Sequence, residues 1–332
     1  MKTKKMKGNI KMGKAQIEKM KRERELIEIA NKTREDENFP LARIFIDMDG
    51  TLTEFEYVDR DVLYAPGYFE NLAPNEPVLL GLKDFIEFYN ESNKFEICIL
   101  SNYLVDHNTA REEKLAWLDK HAPFLKEHGC KIILNPCGES KRLAVPGFDA
   151  RENPVVNILL DDHSPNLLDF CGYGDTTSEK DGKILGNEGI KVLNKINGSG
   201  TKWKLSKFFC KTPEAFSAYL YNEVMKIVSR YAPKWGPAGQ INEIREEIAE
   251  KIVKESEAHG EECYDNPSFE AWRSALEILD RACYGFMQQY STLCEEAEDI
   301  LCIETGLTGE ELDKTFSKIR NVAEKNLWFV RQ

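Results

Sequence analysis

Two carboxylates one residue apart, Asp47 and Asp49 in "ARIFIDMDGTLTEFE", follow an apolar run and precede Gly50-Thr51. A second pair, Asp161 and Asp162, follows "VVNILL" in the same way. Carboxylates gathered at one place repel strongly unless a cation neutralises them. An oxygen-only set of ligands, with no His or Cys, suits a hard ion, and Mg²⁺ is the usual choice where a phosphate completes the shell. Two further apolar runs lead to groups that hold anions: "FEICILSN" ends in Ser101 and Asn102, and "KIILNPCGESK" leads to Lys141. Acids, hydroxyl, ammonium and acids, in that chain order, suit phosphoryl transfer, where a protein supplies a metal, positive charge and a placed nucleophile. Either acid pair by itself is also compatible with a cap on the following helix.

Such groups meet only if the elements carrying them end at one place. The runs "ARIFID", "FEICILS", "KIILNP", "VVNILLDD" and "IKVLNK" are apolar on both faces and read as strands. Between them, Leu79, Leu82, Phe85, Ile86 and Phe88 or Tyr89, and then Leu115, Leu118 and Phe124, recur at helical spacing. Buried strands alternating with helices predict an α/β fold, a doubly wound parallel sheet covered on both faces. Ligands of such sheets bind beyond the carboxyl ends of the strands, where both acid pairs would lie.

The 332-residue chain divides by texture into three parts. Residues 1–40 are rich in Lys, Arg and Glu and read as a basic N-terminal arm, helical or partly disordered. Residues 41–210 form the α/β core, and residues 211–332 carry helical periodicity throughout and predict a C-terminal helical bundle. That bundle has no metal-binding or nucleophile spacing and reads as a packing or assembly unit, through which the chain would form a homo-oligomer or dock a protein partner. A net charge of -12 argues against a nucleic-acid-coating role. The nine cysteines form no CxxC pair, and no apolar run reaches the ~18 residues of a membrane span. The expected setting is reducing and cytoplasmic.

"DMDGT" at Asp47 to Thr51, Ser101, Lys141 and "DD" at Asp161-Asp162 match in order and spacing the motifs of haloacid dehalogenase-like phosphohydrolases. The finer texture of "DMDGTLTEFE", "ILSNYL", "CGESKRLAV" and "LLDDHSPNL" resembles the 5'(3')-deoxyribonucleotidase branch, over roughly Leu41 to Phe209. The resemblance implies a Mg²⁺-dependent nucleotidase acting on a small-molecule nucleotide. Asp47 would be the nucleophile, and Asp49 the acid that protonates the leaving group and then activates water. Mg²⁺ would be held by Asp47, the Asp49 backbone carbonyl and Asp162, with Asp161 either a nearby ligand or the partner that orients Lys141. Ser101, Asn102 and Lys141 would hold the phosphoryl oxygens. A small cap over about residues 53–80 would choose the substrate, with Phe55 stacking on a base beside Tyr57. Another small phosphomonoester, or a nucleic-acid end reached by the basic arm, is the alternative substrate. In the turn-rich stretch "NKINGSGTKWKL", Gly198 and Gly200 could let the backbone approach a ligand but read rather as a plain loop, and Trp203 is open between the same ligand role and sealing the core. His163 could touch the leaving group but reads rather as a solvated loop residue.

Overall fold

The computed structural model describes residues 14–36, 39–90, 93–174, 183–194 and 202–232, with Lys251, Lys254, Arg273 and Ala275. The helices expected after Ala232, along with Gly198 and Gly200, otherwise lie outside the described residues.

Six strands, β1 (Ala42–Ile46), β2 (Phe95–Tyr103), β3 (Lys131–Pro136), β4 (Val156–Asp161), β5 (Asn187–Val192) and β6 (Lys207–Phe208), form one parallel sheet in the order β3-β2-β1-β4-β5-β6. Side chains alternate across a strand. Ile44, Ile46, Ile97, Ile99, Ile158 and Leu160 therefore fill one core, while Phe45, Cys98, Leu100 and Leu159 fill the other. Both faces are apolar because helices cover both. The first face carries α3 (Glu76–Asp84), α4 (Ala110–His121), the short α5 (Phe124–Glu127) and α7 (Pro213–Tyr231), and the second carries α6 (Ser164–Cys171). The two-residue β6 has no counterpart in the expectations, being too short to show a period.

In register, Ile46 of β1 lies between Ile99 of β2 and Leu160 of β4. The residues that follow these three therefore emerge at one level of the same edge. The strand order reverses between β1 and β4, so the connections leaving them diverge and open a crevice at that edge.

The helices differ from expectation in what they bury. On α4 the inward stripe is Glu113, Lys114, Trp117 and Leu118, two of them charged, whereas Leu115 is only partly covered. α3 runs on into a π-helical turn, Phe85–Tyr89. α7 begins where Thr212 Oγ1 accepts the Ala215 N–H, with Pro213 in the first turn. Its residues Phe216, Leu220, Val224, Ile227 and Val228 join the sheet's core. This helix, grouped by periodicity with the following ones, thus packs on the α/β core. A Cβ on Gly81 of α3 would fall 2.5 Å from the Pro213 carbonyl oxygen, so glycine is what lets the two helices approach.

The basic N-terminal stretch contains α1 (Lys14–Asp36). Its last turns dock through polar groups: Thr33 Oγ1 donates to the Ala150 carbonyl at 2.9 Å, and Arg34 to the carbonyls of Tyr231, at 3.0 Å, and Pro154. Pro154 precedes β4, so this anchor lies at the sheet edge opposite the acids. Among the described residues no helix is long and apolar enough to cross a membrane.

Candidate active site

Just past β1 the ladder continues one residue further, Asp47 N–H donating to the Leu160 carbonyl at 2.9 Å. The chain then turns on a single acceptor: the N–H groups of Thr51, Leu52 and Thr53 all reach the Met48 carbonyl. Gly50 takes a φ of +77° within this turn, a region that favours glycine. The turn throws Asp47 and Asp49 toward the crevice. β4 ends on Asp161, and Asp162 follows.

Lys141, in a short 3₁₀ turn after β3 (Lys141–Ala144), is buried between the two strand ends. Its Nζ lies 2.7 Å from Asp47 Oδ1 and 2.7 Å from Asp161 Oδ2. Burial would lower the pKa of this ammonium, but Asp161 and Asp47 outweigh it and hold the group above its ordinary value. Asp161 also accepts from the His163 backbone N–H at 2.7 Å and from Asn166 Nδ2 at 3.0 Å. Ligand oxygens of Asp47, Asp161 and Asp162 all lie within 4.8 Å of one another. All-oxygen donors at that spacing, with Lys141 the one ammonium touching Asp47 and Asp161 among the described residues, fit a hard divalent cation.

Asp49 faces a second lysine that the sequence analysis did not single out. Lys114 of α4, fully buried, reaches Asp49 Oδ2 at 2.5 Å and Ser101 Oγ at 3.0 Å. The Asp49 carboxyl is raised above its usual range, by burial first and by Asp47 as well, against the pull of Lys114. Among the described residues, its buried Oδ1 meets no hydrogen-bond partner. A lysine on a helix normally reads as solvated. The available signal was its spacing, three and four residues before the core residues Trp117 and Leu118.

A cleft of about 650 Å³ is lined by Asp47, Asp49, Asn102, Lys141, Asp162 and His163 among others. Ser101 is fully buried behind Lys114 and is not part of this lining, whereas Asn102 is. His163 is exposed to the cleft rather than set within the acid cluster, and Trp203 is a fully buried core residue that donates to the Ser206 carbonyl.

The segment expected to form a cap leaves the Thr53–Pro74 bridge and contains one short helix, α2 (Arg60–Leu63). Leu79, at the far end of the expected cap range, belongs to the sheet's core. Phe55 and Tyr57 both line the cleft, and Tyr57 is 81% exposed at its lip. Phe55 also borders a smaller apolar cavity of about 260 Å³ with Val78, Val192 and Phe209. Phe69 is instead buried, stacked edge-on with His107 and beneath the Lys114 ammonium. Tyr68 stands near Asp49: burial first, then the charges of Asp49 and Glu56, push its phenol up. Tyr64 donates to Asp106, on the loop after β2.

No protein-family model matches the chain, and no curated protein matches it significantly.

Proposed function

We propose that the chain is a Mg²⁺-dependent phosphomonoesterase of the haloacid dehalogenase-like kind, acting on nucleoside monophosphates as a 5'(3')-deoxyribonucleotidase does. The observation that carries this reading is Lys141, which lines the cleft together with Asp47 and Asp162 and whose ammonium ties Asp47, after β1, to the buried Asp161 that ends β4. Asp47, Asp162 and the Asp49 carbonyl would hold the ion, with Asp161 beside them turned toward Lys141. When bound, Mg²⁺ supplies charge neutralisation for the phosphoryl oxygens.

A carboxylate oxygen of Asp47 attacks phosphorus, and the bond from phosphorus to the leaving oxygen breaks. The proton on Asp49 passes to that oxygen. Asp49, now a base, takes a proton from water as the water oxygen attacks the aspartyl-phosphate, which releases phosphate and restores Asp47. A carboxyl raised above its usual range is suited to donating first. Lys141 and Asn102 line the cleft, where they would hold phosphoryl oxygens, while Lys114, which also donates to Ser101, supports Asp49. Phe55 and Tyr57 offer aromatic surface to a base at the mouth. A reducing, cytoplasmic setting belongs to the same reading, and the five cysteines among the described residues are free.

The test is phosphate release from 5' and 3' deoxy- and ribonucleotides, aryl and sugar phosphates and 5'-phosphorylated oligonucleotides, with and without Mg²⁺, with Asp47→Asn as control. Metal-dependent turnover concentrated on deoxynucleotides is expected. Turnover of aryl phosphate alone would retain the chemistry and remove the substrate. Full activity of Asp47→Asn would remove the covalent step, and silence across the panel would favour an assembly role.

A further inference from the structure

β5 delivers a group to the same edge that the reaction above does not use. Asn194 lies two residues beyond that strand. Its Nδ2 donates both to Asp162 Oδ2, at 2.6 Å, and to the Gly50 carbonyl, at 2.8 Å. The three groups are in close contact: a Cβ on Gly50 would fall 2.3 Å from Asp162 Oδ2 and 2.9 Å from Asn194 Nδ2. An amide NH₂ carries two donor hydrogens and no acceptor, so it can bridge two oxygens but not replace a cation. A donor on one oxygen of a carboxylate opposes rotation of the group. Here the same amide also grips the turn whose other residues include Asp49. The acid after β4 and the turn after β1 are thus held at a set separation by a residue from a third strand.

We propose that Asn194 is a positioning residue for the cation site: it presents the Asp162 carboxylate and the Gly50 turn to the ion, and so sets metal affinity. The proposal rests on the reading of Asp162 as a ligand. Partners that orient ligating carboxylates commonly change metal affinity 10–100-fold when removed. A mere tie between β5 and the turn would instead affect thermal stability and leave metal binding alone.

The experiment is Mg²⁺ titration by calorimetry on the full chain without substrate, comparing the wild type with Asn194→Leu, which keeps the bulk, and Asn194→Ala, which does not. Melting temperatures are recorded without Mg²⁺. The Mg²⁺ concentration giving half-maximal turnover on the best substrate of the panel provides a second readout. Both variants are expected to weaken Mg²⁺ binding by about 10-fold or more and to raise the half-maximal Mg²⁺ concentration, with turnover recovering at saturating metal. Unchanged affinity in either folded variant would overturn the proposal. So would tight binding restored by Leu but not by Ala, which would assign the effect to packing. Should Leu fail to fold in that tight space, the Ala variant decides by the same criterion. A wild type that binds no Mg²⁺ would instead overturn the metal reading of the acids, a separate failure.

Discussion

At the scale of single residues, the site sets the carboxylates Asp47, Asp49, Asp161 and Asp162 against the ammonium groups of Lys141 and Lys114. Asp49 shows the consequence. Its carboxyl is raised by burial and by Asp47 and held back by Lys114, and as general acid it must arrive protonated. The kcat/KM profile is therefore expected to fall as pH rises through the Asp49 pKa. Lys114→Met removes the opposing cation and should carry that limb to higher pH; a limb that stays in place would detach Asp49 from the proton transfer. Asp49→Asn is expected to lower kcat by about 10²–10⁴-fold on alkyl phosphates, with a smaller loss on an aryl phosphate whose leaving group needs no proton. The sign for stability follows from the same shift. A carboxyl with a raised folded pKa binds its proton more tightly in the fold, so its contribution is full below the unfolded value and is lost as pH rises through the folded one. Mg²⁺ counters that loss. It should raise the melting temperature most near neutral pH and progressively less as acid protonates the cluster, as calorimetry with and without the ion will show.

At the scale of elements, α4 joins the cap to the chemistry. Adjacent residues of this helix face different partners: Lys114 holds Asp49, while Glu113 accepts the N–H groups of Gly67, at 2.7 Å, and Phe69, at 3.0 Å, together with the Thr109 hydroxyl. Burial would raise the Glu113 carboxyl, but bonds from Thr109, Gly67 and Phe69 outweigh it and leave it lowered. A depressed folded pKa gives stability that is present above the unfolded value and lost as pH falls through the folded one. Removing a charged acceptor from buried donors costs about 1.5–3 kcal/mol. Glu113→Ala should therefore lower the urea midpoint by a corresponding amount and raise KM for nucleotides more than it changes kcat, since the segment it frees is the cap carrying Phe69. Equal loss in both constants would place Glu113 in general folding instead. Periodicity identified α4 as a helix but selected Leu115 for its inner face. The face was in fact chosen by charged partners that lie far away in the chain, and spacing alone cannot represent them.

At the scale of the whole molecule, one core unites segments that differ in texture. Phe216 of α7 is fully buried among residues from the sheet and α3, and Phe216→Ala is expected to cost about 3–5 kcal/mol in the unfolding of the α/β core. An unchanged transition of that core in denaturant would mean that α7 belongs to a separate unit. α1 meets the sheet at the edge away from the acids through Arg34 and Thr33, which separates its anchored end from the cleft. Much of the frame was readable from residue order. Five apolar runs too short for buried helices and apolar on both faces require a parallel sheet under helices, and parallel strands send everything that follows them to one edge. Asp47, Asp49, Asn102, Lys141, Asp161 and Asp162 were therefore placed in advance at the edge where they stand. Which of these groups touch was decided only by the tertiary structure. The strand order set β4 beside β1, so that Lys141 bridges Asp47 and Asp161. Packing buried Lys114 on a helix whose sequence reads as solvated, and put Asn194 against Asp162 from 32 positions along the chain. Sequence period records how much of a side chain is apolar, whereas a buried charge or amide is stabilised by partners that only the folded chain brings within hydrogen-bond reach.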